Sequence, residues 1–296
     1  MPDSLLRRGI RRAVRSVNRF AFGEDQEGVP GPNFAYRELN VQLMRLLREG
    51  GPQRTSYAWG TLHAAHLAEA LGVRRISAIE FGVAEGGGLL SLERTARAIN
   101  RMCSVTVDVY GFDTGAGLPP PVDYRDSPNL YVERAFTMSI DRLRAALREA
   151  RLLLGLVGET VPSFLQSEPA PVGFISFDLD YYSSTRHAFA VLEACHDRLL
   201  PRVHCYFDDL IGFTHSDYTG ERLAIREFNA SHPSRKLSPI YGLRYFLPTA
   251  CRSSSWPDCM YLAHIFDHPL YAAPDGLTKA GGRGRPAPPA RPVGSA

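Results

Sequence analysis

The chain has 296 residues, 44% of them hydrophobic and 22% charged, with 26 Gly and 22 Pro. This ordinary globular composition excludes a collagen, a disulfide-knotted miniprotein and a wholly disordered chain, and no apolar run approaches the roughly 18 residues that a membrane span needs. The formal charge of +3 is unevenly spread: residues 1–20 carry +5, residues 279–296 carry +4, and residues 21–278 carry −6, so the acidic body speaks against a nucleic-acid partner.

Along the chain, Leu5 to Phe20 sets Leu6, Ile10, Val14 and Val17 on one helical face and six arginines around the rest. This basic amphipathic helix, residues 1–22, is expected to dock its apolar stripe on the body or on a second subunit of a homo-oligomer, with an anionic membrane surface as the alternative. Residues 23–54 read as a linker, Gly-rich and Pro-rich from Gly23 to Pro32, and a helical segment. Residues 55–278 form the main domain. The Gly, Pro, Ala and Arg of residues 279–296 have almost nothing to bury and are expected to be disordered. Five cysteines (Cys103, Cys195, Cys205, Cys251, Cys259) form no C-x-x-C pair and are odd in number, which points to reduced thiols and a cytoplasmic location.

Within the main domain, apolar strands alternate with amphipathic helices. Strands are expected at Ile76–Phe81, Val105–Phe112, Leu152–Val157, Val172–Phe177 and Val203–Phe207, with further strand-like pieces between Leu237 and His264. Helices are expected from Gly86–Gly88 through Asn100 and at Ser139–Ala150, Ser184–Leu199 and Arg222–Ala230. This alternation specifies a Rossmann-like, doubly wound α/β fold, its sheet mostly parallel and covered by helices on both faces.

Ligands of such sheets bind beyond the carboxyl ends of the strands, and five of those ends carry Gly or acid. The first, Glu80-Phe81-Gly82-Val83-Ala84-Glu85-Gly86, allows a sharp turn and close ligand approach ahead of a helix amino terminus. It reads ExGxxxG and does not fit the dinucleotide fingerprint GxGxxG. Asp113 ends the second strand, where a carboxylate can accept both hydroxyls of a ribose. Glu159 follows the third strand; it would lie near an adenine if a nucleoside filled the cleft, and helix capping accounts for it equally well. Asp178 ends the fourth strand, and Asp208 and Asp209 the fifth. Crowded carboxylates repel one another unless a cation or proton neutralises them, and hard oxygen donors suit Mg²⁺.

Five segments together resemble the class I S-adenosylmethionine-dependent methyltransferases, and more narrowly the macrocin and mycinamicin sugar O-methyltransferase family. They are ExGxxxG at Glu80 to Gly86, FDTGAGLP at Phe112 to Pro119, GETVP at Gly158 to Pro162, DLDYYSST at Asp178 to Thr185, and the pair Asp208-Asp209. The resemblance spans about Tyr57 to Asn229. It implies that Glu80, Gly82 and Gly86 shape the S-adenosylmethionine loop, that Asp113 holds the ribose, and that Asp178, Asp208 and Asp209 bind Mg²⁺. The implied activity is O-methylation of a hydroxylated small molecule, such as a sugar or natural-product intermediate, with Asp178 receiving the hydroxyl proton. Two departures stand out: Leu179 replaces the Gly usual between the two strand-four acids, and Leu200-Pro201-Arg202 replaces a Gly-Gly turn. The rival readings are a non-catalytic binding or scaffold protein and a nicotinamide-dependent oxidoreductase. Outside these segments, His215 is a candidate substrate-side base or a surface histidine, and His264 and His268 are a metal pair or a structural loop. Tyr57 and Trp59 either cover the cofactor or pack.

Overall fold

The computed structural model describes residues 34–49 and 54–275. The arginine-rich helix expected at residues 1–22, the linker expected at Gly23–Pro32 and the tail expected at residues 279–296 lie outside the described residues. Helix α1 (Phe34–Glu49) buries Leu39, Leu43 and Leu46, at the 4-then-3 spacing that puts apolar side chains on one helical face. It packs on α2 (Thr55–Ala70), in which every side chain from Ser56 to Ala65 is buried. A helix enclosed on all sides has no polar face, which is why sequence periodicity does not reveal α2.

Seven strands form one sheet: β1 (Arg75–Phe81), β2 (Thr106–Asp113), β3 (Arg151–Leu154), β4 (Val172–Phe177), β5 (Leu199–Phe207), β6 (Arg235–Pro239) and β7 (Met260–Ile265). Their order is β3-β2-β1-β4-β5-β7-β6. The first five are parallel and β7 runs antiparallel to both of its neighbours, so the fold is a Rossmann-like α/β sheet. One face is covered by α2 and α3 (Gly87–Met102). The other packs against α5 (Val157–Gln166), α6 (Tyr182–Ala188) and α7 (Gly220–Ser231), through Phe164, the Phe189 that follows α6, and Phe228. Two short helices, α4 (Ile140–Ala146) and α8 (Leu243–Phe246), complete the described α-helices.

Several boundaries differ from the sequence expectation for local reasons. The expected helix at Ser139–Ala150 stops at Ala146, because Glu93 of α3 accepts hydrogen bonds from the backbone N–H groups of Arg148, Glu149 and Ala150 (2.8, 2.6 and 2.8 Å). Once taken by a side chain, those donors no longer serve a helix. Strand β3 ends at Leu154 because Gly155 turns the chain at φ +142°, and α5 begins two residues later. The helix expected over Ser184–Leu199 ends at Ala188 and gives way to single 3₁₀ turns, while β5 starts at Leu199 and contains Pro201.

Candidate active site

Four strands end alike in sequence: Phe81-Gly82, Phe112-Asp113, Phe177-Asp178 and Phe207-Asp208. The sheet register aligns them, pairing Phe81 with Phe112 and Phe177, and Phe177 with Phe207. Their rings form a row with centroids 4.7, 5.7 and 4.6 Å apart. The next residue of each strand therefore emerges at the same height, along the carboxyl edge of the sheet. Backbone bonds extend the ladder by one more step, with Gly82 N–H donating to Phe112 O, Asp178 N–H to Phe81 O and Asp208 N–H to Phe177 O (2.9, 2.9 and 3.0 Å). Gly82, Asp113, Asp178 and Asp208 all line one cavity of about 490 Å³, within the usual range of a small-molecule site.

One side of the cavity is the loop between β1 and α3. Gly82 has φ +82°, and a Cβ there would overlap the Asp178 carbonyl oxygen, so close packing against β4 requires glycine at this position. Asp113 holds the loop from across the sheet: Oδ2 accepts from the N–H groups of Val83 and Ala84 (both 2.9 Å), and Oδ1 accepts from Gly115 N–H (2.6 Å). A carboxylate offers about four acceptor positions, so one direction on Oδ1 remains for a further donor. Gly86, at φ +87°, precedes α3 against Leu143.

Glu80 points to the α2 face, away from the cavity wall. It is buried, accepts from Tyr57 Oη (2.7 Å), and leaves Oε2 without a partner. Ser176 Oγ in turn donates to Tyr57 Oη (2.8 Å). Burial pushes the Glu80 carboxyl up to about 8, against the opposing pull of Tyr57 and Arg54. Gly88 leaves space for this side chain, since a Cβ there would overlap Glu80 Oε1.

The other side of the cavity is acidic. Asp178, Asp180, Asp208 and Asp209 all line it. Burial, then the charges of Asp208 and Asp209, raise Asp178 to about 7. Burial, then Asp209, Asp178 and Asp208, raise Asp180 to about 8. Asp209 is raised too, by burial and then by Asp208. Fixed donors orient the group: Arg54 Nη1 lies 3.2 Å from Asp178 Oδ2, Tyr206 Oη donates to Asp208 Oδ1 (2.7 Å), and Tyr131 Oη donates to Asp209 Oδ1 (3.1 Å). Asp209 Oδ2 accepts from Asp180 N–H (3.1 Å), and Asp180 itself sits at φ +61°. Beneath them Glu221 is fully buried with Oε1 unpartnered, and burial followed by Asp209 raises its carboxyl well above the normal range. Among the described residues, no three His, Cys, Asp or Glu side chains are arranged as a preformed metal cage; the carboxylates share a field without converging on a point.

The structure thus brings Gly82, Asp113, Asp178, Asp208 and Asp209 to one cavity, with Glu80 and Gly86 shaping its loop from behind. Glu159 lies exposed in the first turn of α5, and the adjacent wall is formed by Leu156 and Val157. Several wall residues lie outside the sequence reading of the site, Asp180, Arg54 and Tyr131 among them. Asp180 was visible as the second acid of Asp178-Leu179-Asp180, whereas Arg54 and Tyr131 come from segments with no motif. His215 is half-buried in the loop after β5, near Asp209. His264 lies on β7 paired with Tyr271 Oη (2.7 Å), and His268 Nδ1 accepts from Leu270 N–H (2.9 Å), so the two are not on a helix. Trp59 stacks on His63, with ring centroids 4.0 Å apart, and is outside the wall of this cavity.

No family model matches the chain, and neither does any curated protein sequence. Among solved structures it is similar to the calicheamicin methyltransferase CalS11, at 22% identity over 74% of this chain and 94% of that one, with a TM-score of 0.44. It is similar to the O-methyltransferase NovP, at 16% identity over 58% of this chain and 71% of that one, also with a TM-score of 0.44. A third similar structure is the methyltransferase MycE from the mycinamycin biosynthetic pathway, in complex with Mg, SAH and mycinamycin VI. It has 15% identity over 67% of this chain and 48% of that one, with a TM-score of 0.31.

Proposed function

We propose that the chain is an S-adenosylmethionine-dependent O-methyltransferase, assisted by Mg²⁺, acting on a hydroxylated small molecule. The observation that carries this reading is the shared cavity. On one side it has a glycine loop whose backbone is held by Asp113, and on the other four neighbouring carboxylates, of which Asp178, Asp180 and Asp209 are raised by burial and then by their neighbours' charges, with Arg54 paired to Asp178. Hard oxygen donors in excess of nearby cations fit a divalent metal. Asp178, Asp208 and Asp209 would hold it, with Asp180 beside them.

When bound, S-adenosylmethionine supplies a methyl group on a sulfonium, and Mg²⁺ supplies a positive centre that orients and acidifies a hydroxyl. The protein mainly positions. Gly82 lets the loop approach the cofactor, and the open acceptor direction on Asp113 Oδ1 suits a ribose hydroxyl. Leu156 and Val157, rather than the exposed Glu159, offer the apolar contact for an adenine. Asp178 would accept the proton of the acceptor hydroxyl, with Arg54 fixing the orientation of Oδ2.

The test is calorimetric titration of the protein with S-adenosylmethionine, S-adenosylhomocysteine and NAD, each with and without Mg²⁺. Micromolar binding of the two sulfur nucleosides and none of NAD is expected. Absence of binding by either sulfur nucleoside sinks the proposal and leaves a scaffold protein.

A further inference from the structure

The segment between β2 and α4, residues 114–139, brings two aromatic side chains from outside the sequence motifs to the wall of the candidate active site, Tyr131 and Phe136. Tyr131 serves the acid cluster as the donor to Asp209. Phe136 is 57% exposed, so more than half of a large apolar residue stays in water. Its backbone is unfavourable as well. Phe136 has φ +60° and Arg134, two residues before it, has φ +65°, a left-handed conformation in which the Cβ of a bulky residue is crowded by the backbone. A short backbone pairing imposes it: Leu118 N–H donates to Ala135 O, and Arg134 N–H donates to Leu118 O (both 2.9 Å). The opposite side of the pairing is fitted to it, because Gly117 has φ +87° and a Cβ there would overlap the carbonyl oxygens of Ala135 and Arg134. A large ring held in a strained conformation and left mostly in water contributes little to folding, and strain of this kind collects where ligands are gripped.

The same bonds fix which end of the cavity Phe136 occupies. Ala135, its neighbour in the chain, is bonded to Leu118, and Met138 N–H donates to Gly115 O (3.4 Å). Gly115 N–H donates to Asp113 Oδ1 (2.6 Å), and Gly155 N–H donates to Asp113 O (3.0 Å). Phe136 and Leu156 thus each follow directly on a residue bonded to the stretch 113–118, and both belong to the Asp113 end. The acid end is reached five residues earlier in the segment, where Tyr131 meets Asp209. Leu156 also lines the cavity and is 48% exposed. Two large apolar side chains therefore stand in water beside a carboxylate that has an acceptor direction to spare. A flat ring carrying a hydroxylated substituent matches all three groups: its faces cover the apolar side chains, and a hydroxyl donates to Asp113.

We propose that Phe136 is a cofactor-binding residue, its ring covering one face of the adenine of S-adenosylmethionine while Leu156 and Val157 cover the other. The proposal rests on the methyltransferase reading and adds to it a contact from a segment that carries no motif. Stacking suits this role because an aromatic ring needs only the π-face of the base and no hydrogen-bond match. The strained pairing of residues 134–136 with Leu118 then has a purpose, since it sets the ring at a fixed height above the loop that Asp113 holds.

The full chain and its Phe136 variants are titrated with S-adenosylhomocysteine by calorimetry. Phe136→Ala should bind at least about tenfold more weakly than the unaltered chain, and Phe136→Trp within about threefold of it. The new indole of Phe136→Trp should be quenched saturably, with the midpoint found by calorimetry, whereas Trp59 and Trp256, neither of which lines this cavity, should respond much less in the unaltered chain. Phe136→Gly removes the ring and tolerates the left-handed backbone; it should be at least as stable in urea as Phe136→Ala and bind as weakly, which separates loss of the ring from loss of the fold. Unchanged affinity in Phe136→Ala overturns the proposal. So does an indole in Phe136→Trp that ignores the bound nucleoside, or recovery of affinity in Phe136→Gly, which would trace the loss to the backbone. In each of these outcomes S-adenosylhomocysteine still binds the unaltered chain and the methyltransferase reading stands; failure of the unaltered chain to bind it overturns both.

Discussion

Asp113 carries two duties with one carboxylate, and they can be separated. Its three backbone bonds to Val83, Ala84 and Gly115 fix the loop that bounds the cavity, and charged acceptors of this kind contribute about 1.5–3 kcal/mol each. Asp113→Ala should lower stability by about 2 kcal/mol or more in denaturant titration and weaken S-adenosylmethionine at least about tenfold by calorimetry. A variant with unchanged stability and affinity would show that the loop is held by something else. Glu80 makes a different prediction. Its folded carboxyl is raised from 4.5 to about 8 by burial, so between those values the folded state holds a proton that the unfolded chain has released. Stability linked to Glu80 is then full below pH 4.5 and falls as pH rises towards 8, by about 3–5 kcal/mol. Glu80→Gln keeps the shape and cannot ionise, so its melting temperature should decline much less over that window than that of the unaltered chain. Parallel curves would mean that Glu80 ionises normally.

The strand ends act as a set. β4 and β5 deliver Asp178, Asp180, Asp208 and Asp209 to one edge, and the raised carboxyls there cannot be a device for stability, because each is held above its unfolded value mainly by burial and then by its neighbours. The sign is the same as for Glu80: the folded state takes up protons, so metal-free stability drops as pH rises from about 4 to about 8. A divalent cation would substitute for those protons. Mg²⁺ should therefore raise the melting temperature clearly at pH 8 and hardly at all at pH 5, where the carboxyls are already protonated. Asp208→Ala should remove most of the Mg²⁺ response while leaving S-adenosylhomocysteine affinity nearly intact. A Mg²⁺ shift equal at both pH values, or preserved in Asp208→Ala, would make the cluster a purely structural acid network. These strand ends were legible in the sequence because Phe followed by Gly or Asp recurs where an apolar run stops. The helix boundaries were less so, since Glu93 capturing three N–H groups from 55 or more residues away leaves no local trace.

At the scale of the molecule, the parallel strands and most of the cavity acids follow from local patterns, whereas the α2 face does not. Helix α2 has no amphipathic stripe because α1 covers one side and the sheet the other. Arg54 and Tyr131 reach the site from segments whose sequence carries no motif. What ties α2 to the sheet is a polar chain through an otherwise apolar layer. Arg54 Nη1 and Ser176 Oγ both donate to Tyr57 Oη, and Tyr57 Oη donates to Glu80 Oε1. Four residues from α2 and its preceding turn, β1 and β4 thus depend on one hydroxyl. Tyr57→Phe removes the hydroxyl and keeps the ring that packs against Phe174 and Tyr206, at centroid distances of 5.7 and 5.9 Å. The loss should then come from stranded polar groups rather than from a void. Leaving Ser176 and Glu80 unpaired in a buried layer should cost about 2–4 kcal/mol at neutral pH, read in urea titration with the slope unchanged. Because Tyr57 is the partner that pulls the Glu80 carboxyl down, the same variant should move the pH-dependent loss of stability to higher pH. A Tyr57→Phe chain as stable as the original, with the same pH dependence, would mean that ring packing alone fixes α2 to the sheet.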